Sequence, residues 1–180
     1  MLDELADGEI RIRRHREGDV DALFEAARES IAEVGRWLPW CHPDYRREET
    51  AEWIAGRIEA WDRGDAYEFV IEDAETGRVL GGVGINSINR GLRSANLGYW
   101  VRTTAAGRGV ATAAARLAAR FALEVMGLVR VYILADVENL PSQRVAEKAG
   151  AVREGVLRNA LVLRGEPRDA VGYSLIPGDL

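Results

Sequence analysis

The chain has 180 residues, of which 47% are hydrophobic and 29% are charged, and its net charge at pH 7 is −5. This length and composition predict a single globular domain over residues 1–180 that can bury a substantial core. The acidic balance argues against DNA or another nucleic acid as a partner, because a protein that neutralises phosphates needs a basic surface.

The few cysteines and histidines limit the other kinds of site. Cys41 is the one cysteine, so no internal disulfide can form, and a reducing compartment, the cytoplasm, is expected. A thiol nucleophile would need a base, and a small semi-buried thiol is the preferred interpretation of Cys41. His15 and His42 are too far apart for a metal site of recognisable spacing, so no metal is expected. The first nine residues lack the features of a signal peptide, and no apolar run approaches the roughly 18 residues that span a membrane.

A strand and two helices are predicted in the first third of the chain. Residues 9–14 alternate apolar and charged side chains, which is typical of a half-buried strand. Helical spacing of apolar residues follows between Gly18 and Gly35, and again over residues 46–63. The first apolar stripe comprises Val20, Leu23, Phe24, Ala27 and Ile31, and the second comprises Trp53, Ile54, Ile58 and Trp61. Between the two helices lies an aromatic segment broken by a proline, Trp37 to Trp40.

The remaining two thirds predict a mixed, mostly antiparallel twisted sheet. Three strands with short turns form a meander, and a long helix, a strand, a short helix and a final hairpin follow. The strands are expected at residues 67–72, 79–88, 94–102, 130–135, 152–163 and 170–176, and the helices at 110–126 and 141–149. The strand-helix-strand unit over residues 94–135 must be parallel. The sequence therefore predicts an α+β fold of about seven strands and about four helices.

The turn before the long helix has the composition of a phosphate site. Gly107 and Gly109 let the backbone approach a ligand closely, and no side chain caps the helix that begins after them. A helix N-terminus presents unpaired N–H groups and the positive end of the helix dipole, which suits a pyrophosphate. Arg108 adds a positive charge.

Two common phosphate-binding patterns fit this turn poorly. A P-loop would need a lysine followed by serine or threonine after the second glycine, and none is present. The dinucleotide fingerprint would need a third glycine where Thr112 stands. On the turn alone, a tight strand-to-helix corner remains an equal alternative to a phosphate site.

A second segment resolves the alternative through a resemblance. Asn139 and Ser142 open the short helix, and Glu147, Lys148 and Gly150 end it. In this order after the glycine turn, these residues resemble the GNAT superfamily of N-acetyltransferases, whose glycine turn binds the pyrophosphate of acetyl-CoA. The residues Leu97-Gly98-Tyr99-Trp100, Glu154-Gly155 and Asp169 resemble the Rim-type branch, which acetylates the N-termini of ribosomal proteins. The resemblance covers nearly the whole chain and implies the GNAT acyl-CoA N-acyltransferase fold.

The resemblance also implies the residues of an acetyl-CoA site. The strand that ends near Val101 and Arg102 would separate from its neighbour and pair its backbone with the pantetheine arm, and the N–H near Val101 would polarise the thioester carbonyl. Asn139 would hydrogen-bond the pantetheine, and Ser142 would contact the cofactor and protonate the leaving thiolate as the catalytic acid. The pyrophosphate would be held by the N–H groups of Gly107, Arg108, Gly109, Val110, Ala111 and Thr112.

Three departures from the family pattern concern a phosphate contact and the general base. Thr104 stands where relatives have glutamine or arginine. Asn96 stands where many relatives have a glutamate that acts as base, and an amide cannot take a proton at neutral pH. A second position for a base in Rim-type relatives is apolar here, near Leu161. Glu154 is a weaker candidate, so the sequence names no base.

The acceptor is expected to be a primary amine: a protein N-terminus, an amino acid or a small amine. It would attack the thioester directly in a ternary complex. Trp37 and Trp40 are candidates for the acceptor-binding wall, with core or dimer contacts as the alternative, so a homodimer stays open. Two other functions are also open: a CoA-binding module without catalysis, and transfer of a longer acyl group such as succinyl. The carboxylate of a succinyl group would need a basic wall, which Arg93, Arg102 or Arg158 would supply.

Overall fold

One eight-stranded sheet organises the computed structural model, which describes residues 3–180. The strand order is β1-β2-β3-β4-β5-β6-β8-β7, and every neighbouring pair is antiparallel except β5 and β6. The strands are β1 (Glu4–Ala6), β2 (Ile10–Arg14), β3 (Tyr67–Asp73), β4 (Val79–Asn89), β5 (Ser94–Val101), β6 (Arg130–Asp136), β7 (Val152–Leu163) and β8 (Glu166–Leu175). The mixed, mostly antiparallel α+β fold is confirmed, with one strand more than the seven expected. The additional strand is β1, whose three residues are too few to show a periodic pattern.

Five α-helices flank the sheet: α1 (Val20–Glu29), α2 (Ile31–Val34), α3 (Arg47–Arg63), α4 (Val110–Arg120) and α5 (Leu140–Lys148). The single helix expected between Gly18 and Gly35 is wrong, because the chain breaks at Ser30. There the Ser30 Oγ donates to the Ala26 carbonyl at 2.7 Å and accepts the N–H of Thr103 at 3.0 Å. The long helix after the glycine turn changes to a π-helical turn at Phe121–Val125. In the part of the chain described, no helix is both long and apolar enough to cross a bilayer.

The two faces of the sheet are covered by different helices, because successive strand residues point to opposite sides. Phe69 is fully buried on one face, where it packs against Phe121 after α4 and Trp61 of α3. Val70 is buried on the other face, in a cluster with apolar residues of α1 and α3. The prediction that Trp53 belongs to the buried apolar stripe of α3 is wrong, because Trp53 is 38% exposed. Its ring meets the edge of the His15 ring instead.

The sheet opens between its two parallel strands. β5 and β6 pair only at Ser94–Asn96 with Arg130–Tyr132, after which β5 continues along β4 alone and β6 continues along β8. The expected separation of the strand that ends near Val101 is therefore confirmed. Two facing strand edges are left beyond Asn96, and their backbone groups point into the gap between them.

Gly81 lets β4 approach β5 at the end nearest this gap. Its φ of +155° is rare for other residues, and a Cβ there would overlap the Trp100 carbonyl oxygen and lie 2.8 Å from the Val101 Cα. Both obstacles are backbone atoms, which cannot move aside as a flexible side chain can. We expect Gly81→Ala to lower the free energy of unfolding by about 1–3 kcal/mol through overpacking. Urea denaturation measures this loss.

Gly18→Ala is the control for that substitution, since a Cβ at Gly18 has no neighbour within 4 Å and its φ is not positive. It should change stability by less than about 0.5 kcal/mol, as surface substitutions usually do. Equal stabilities of the two variants would show that the close approach at Gly81 is not required.

Candidate active site

The gap beyond Asn96 is lined by free backbone groups of β5. The Arg102 N–H donates to the Leu80 carbonyl on β4 at 2.8 Å. Because strand residues alternate in the direction of their hydrogen-bonding groups, Tyr99 and Val101 direct theirs to the opposite edge, into the gap. An extended ligand with its own amides can pair with this edge as an added strand would.

At the end of β5 the chain enters the glycine turn. Gly107 and Gly109 have φ values of +76° and +83°, and a Cβ on either would meet no neighbouring atom within 4 Å. Gly109 occupies the N-cap position of α4, and no side chain caps this helix. Among the described residues, the backbone N–H groups of residues 107–112 donate to no backbone carbonyl. The next N–H, that of Ala113, donates to the Gly109 carbonyl at 3.0 Å. The N–H groups of residues 107–112 thus form an open anion-binding site.

Glu29 of α1 fixes the chain just before this turn. Its Oε1 accepts hydrogen bonds from the Thr104 N–H at 2.9 Å and the Thr104 hydroxyl at 2.7 Å, and its Oε2 accepts from the Arg102 Nε at 3.0 Å. Hydrogen bonds to Glu29 from the Arg102 guanidinium, and to a smaller extent from Thr104, lower the pKa of the Glu29 carboxyl to about 2. Thr104, which replaces a phosphate-contacting residue of the family pattern, therefore serves to anchor the turn.

Arg102 does not direct its side chain to the gap. The side chain is 3% exposed and forms ion pairs with Glu25 and Glu29. Any contact of Arg102 with a ligand in the gap must therefore come from its backbone. Arg93 precedes β5 at the opposite end from the gap and donates to the Gly127 carbonyl, and Arg158 lies in a depression of the β7–β8 hairpin with Asp169. The guanidinium groups of Arg102 and Arg93 are thus engaged by Glu29, Glu25 and the Gly127 carbonyl.

The other wall of the gap is the start of α5, which follows β6. Asn139 is the N-cap of α5, and its Oδ1 accepts the Ser142 N–H at 3.2 Å. The Tyr99 hydroxyl reaches from β5 to donate to the Ser142 carbonyl at 2.9 Å and lies 3.2 Å from the Ser142 Oγ. Tyr99 and Ser142 thus join the two separated strands across the gap.

Tyr99 is a residue of the site that the sequence analysis did not identify. Burial raises its pKa to about 12, so its hydroxyl keeps its proton at neutral pH. With that proton directed to the Ser142 carbonyl, the hydroxyl oxygen can accept the Ser142 proton. The only signal in the sequence was the position of Tyr99 in the motif Leu97-Gly98-Tyr99-Trp100, and its contact with Ser142, 43 residues away, was not visible there.

The aromatic segment between α2 and α3 lies over the ends of β5 and β6. The ring of Trp40, which is 37% exposed, contacts Trp100 of β5 at 5.3 Å between centroids. The guanidinium of Arg36 stacks on the ring of Trp37. Arg36 also lies near Asp136, at the end of β6. Arg168 lowers the pKa of the Asp136 carboxyl, with a smaller contribution from Arg36. The structure thus brings Trp40 to the site, and Trp37 lies in the same loop.

Two sequence candidates for reactive side chains are committed to other contacts. The hydrogen bond from Arg130, and the smaller effect of the one from Ser174, lower the pKa of the Glu154 carboxyl to about 2. Glu154 is therefore a weak base. Burial raises the pKa of the Cys41 thiol, which donates to the Ala27 carbonyl at 3.4 Å. Cys41 is a buried structural thiol, as expected.

A row of polar side chains crosses the sheet on the face next to Trp40. The Asn96 Nδ2 donates to the Asn86 Oδ1 at 3.0 Å, and the Asn86 Nδ2 donates to the Glu68 Oε1 at 3.0 Å. Glu68 was not identified from the sequence, because its distance from Asn96 depends on the register of three strands.

Comparison with known proteins identifies the family. Residues 9–152 match the model of the acetyltransferase (GNAT) domain. Over 172 residues, 93% of this chain and 91% of the relative, the chain is 30% identical to a Bacillus subtilis (strain 168) protein named "Putative ribosomal N-acetyltransferase YdaF". It is 25% identical over 160 residues, 89% of this chain and 88% of the relative, to the ribosomal-protein-serine acetyltransferase of Escherichia coli (strain K12). The structure of Mycobacterium smegmatis RimJ in complex with CoA-disulfide superimposes with a TM-score of 0.87 at 26% identity, covering 95% of this chain and 83% of that one.

The chain therefore belongs to the GNAT family of acetyltransferases, and its resemblance to the Rim-type branch is confirmed. Its activity is acyl-CoA-dependent N-acetyl transfer, with acetyl-CoA as the acyl donor.

Gly109→Trp tests the glycine turn as the pyrophosphate site. A side chain there would cover the N–H groups of residues 107–112, and the loss of one or two hydrogen bonds to a charged group costs about 1.5–3 kcal/mol each. We expect the dissociation constant of CoA, measured by calorimetry, to rise about a hundredfold.

Gly178→Trp is the matched control, because Gly178 also has a positive φ, of +103°, and open space around it, but follows β8 at the end of the sheet away from the gap. It should bind CoA with the affinity of the unmodified protein. Unchanged affinity in Gly109→Trp would refute the assignment of the turn.

Proposed function

We propose that the enzyme transfers acetyl from acetyl-CoA to a primary amine by direct attack, in a ternary complex formed at the gap between β5 and β6. The observation that carries the proposal is the convergence of three features at that gap. These are the free strand edge of β5, the open N-terminus of α4 and the hydroxyl pair of Tyr99 and Ser142.

The donor would occupy the gap lengthwise. The N–H groups of Gly107, Arg108, Gly109, Val110, Ala111 and Thr112 would hold its pyrophosphate, since they are free in the structure and lie at the positive end of α4. Tyr99 and Val101 would pair their backbone with the pantetheine arm, as would the backbone of Arg102 where the strand ends. The Asn139 Oδ1 is engaged in capping α5, so its Nδ2 is the group that would donate to the arm.

In the reaction, the N–C bond to the acceptor forms and the C–S bond of the thioester breaks. The Val101 N–H would polarise the thioester carbonyl and stabilise the negative charge that develops on its oxygen. Ser142 would give its proton to the departing sulfur, as the catalytic acid. The Tyr99 hydroxyl, held by the Ser142 carbonyl, orients the Ser142 Oγ and can return a proton to it.

The acceptor would enter from the face where Trp40 meets Trp100, with Trp37 in the same loop as part of the wall. Relatives are named for two classes of acceptor, ribosomal proteins and spermidine. Both classes supply primary amines. A protein α-amino group has a pKa near 8, so a fraction of it is neutral and reactive at physiological pH.

The remaining expectations about partners and place accompany this proposal. The acceptor is a protein or a small molecule, since the net charge of −5 offers no basic surface for DNA. We place the enzyme in the cytoplasm, where acetyl-CoA is available, away from the membrane. A homodimer is compatible with the exposed apolar residues of β7, including Val156 and Val162, and light scattering measures whether one forms.

A panel of amines tests the proposed reaction. We expect acetyl-CoA-dependent release of free CoA thiol with N-terminal peptides or polyamines, and no release with the same acceptors when their primary amine is blocked by methylation. A protein that binds CoA without turnover across the whole panel would contradict the proposal.

Ser142→Ala should lower kcat by about 10²-fold, the lower range for loss of a general acid, while the dissociation constant of acetyl-CoA changes by less than about threefold. The cap of α5 survives this change because Asn139 accepts from the Ser142 backbone N–H, not from its side chain. Ser174→Ala, a buried serine of β8 that donates to Glu154, is the control and should keep full activity. If both variants keep full activity, Ser142 has no part in proton transfer.

A further inference from the structure

The buried acidic side chains of the sheet are neutralised by arginines, with one exception. Glu72 forms ion pairs with Arg11 and Arg13, Asp19 with Arg13, and Asp136 with Arg168. Glu68, in β3, is half-buried, yet none of the ion pairs among residues 3–180 includes it. Its Oε1 accepts the Asn86 amide, and its Oε2 accepts no hydrogen bond from the described residues. One carboxylate oxygen is therefore left without a partner among the described residues, and it is not sealed from water.

Glycines on the neighbouring strands allow Glu68 to reach toward the gap. Glu68 is opposite Gly84 on β4, which is opposite Gly98 on β5. A Cβ at Gly84 would overlap the Glu68 carboxylate, so the side chain lies across β4 in the space that the glycine leaves. Above Gly98, the one atom within 4 Å of an added Cβ is the Asn96 Nδ2, at 3.7 Å. The surface of β5 next to the gap is thus open on the side where Glu68 arrives.

This opening lies between two features already described on the same face of the sheet. Asn96 precedes Gly98 by two residues and joins Glu68 through Asn86, and Trp100 follows Gly98 by two residues and contacts Trp40. An acceptor that enters beside Trp40 would place its nitrogen above Gly98, between the polar row and the acyl donor in the gap.

We infer that Glu68 is the general base of the reaction, a role that the neighbouring Asn96 amide cannot fill. Through water above Gly98, it accepts the proton that the amine loses when its nitrogen attacks the acetyl carbonyl. The inference rests on the proposed function. The proton of the acceptor passes to Glu68 and on to solvent. The sulfur takes the proton of Ser142, and Ser142 regains one from solvent, so the protons balance over the cycle.

The groups around Glu68 favour such a role. Burial raises the pKa of Glu68, and the Asn86 hydrogen bond and the charge of Arg57 on α3 oppose that rise. On this face, His15, which follows β2, stays neutral because burial lowers its pKa to about 3. Glu72 and Asp19 are paired with Arg13, and burial raises the pKa of Tyr45 beside Trp40. Asn86 and Asn96 cannot titrate. A carboxylate with a raised pKa is a stronger base than an exposed one.

Glu68→Gln tests the inference, because glutamine keeps the acceptor for the Asn86 amide and loses only the ability to take a proton. We expect kcat/KM for the amine to fall at least about tenfold at pH 8, with the acetyl-CoA dissociation constant unchanged. When kcat/KM is expressed per neutral amine, so that protonation of the acceptor itself does not contribute, the acidic limb that Glu68 protonation causes should disappear from the pH profile. The unfolding free energy at pH 8 should be equal or higher, since a raised pKa means that the ionised carboxylate costs stability above its unfolded-state pKa.

Moving the carboxylate provides a second, independent variant. Asn96→Glu in the Glu68→Gln background should restore kcat/KM to within about threefold of the unmodified enzyme and bring back the acidic limb. Glu154→Gln, which removes a carboxylate elsewhere on the sheet, is the matched control and should leave the profile unchanged.

Three results would overturn the inference. They are a loss below about twofold in Glu68→Gln, an acidic limb that persists in it, or a loss of activity that follows a loss of stability and is not restored by Asn96→Glu. If the unmodified enzyme acetylates no amine, the proposed function fails instead. If it does so and Glu68→Gln is equally active, only the role of Glu68 fails.

Discussion

The separation of β5 from β6 is the constraint on which the rest of the site depends. Two parallel strands that pair over three residues and then diverge leave backbone N–H and C=O groups without partners, which a folded protein rarely tolerates. Here β4 and β8 hold the outer edges of the two strands, so the gap does not collapse. A donor with an amide-containing arm satisfies the free groups, and the tyrosine-serine contact across the gap sets its width.

Each end of the gap is built from a different kind of interaction. The end proposed to hold the pyrophosphate consists of glycine backbone and a helix N-terminus, and a carboxylate from α1, Glu29, holds it in place. The end proposed for the reaction consists of side chains: Ser142 and Tyr99 on one side of the sheet, and the polar row that ends at Glu68 on the other. Elsewhere on the sheet the buried carboxylates form ion pairs with arginines, whereas Glu68 has no arginine partner among the described residues.

The sequence predicted the features that depend on local residue types. The turn at Gly107 and Gly109 could be predicted because glycine adopts left-handed φ values more readily than other residues. Most strands and helices could be located from the periodicity of their apolar residues. The separation of β5, and the roles proposed for Asn139 and Ser142, came from the resemblance to the family. The break at Ser30 was not predicted, since serine is not a strong helix breaker and its partner, Thr103, lies 73 residues away. Glu68 was not identified either, because its contacts depend on strand register, which is a property of the folded sheet.

The hydroxyl of Ser30 has a consequence for how the two substrates affect each other. It ends α1, and the loop that carries Trp40 begins five residues further, after α2, while the same oxygen accepts the Thr103 N–H at the entrance to the glycine turn. A shift of the turn must therefore move or break a bond at the base of the loop over the acceptor. By thermodynamic linkage, whatever free energy the donor transmits through this bond to the acceptor is returned in full when the acceptor binds first. One hydroxyl group thus connects the start of the loop over the proposed acceptor site to the start of the glycine turn.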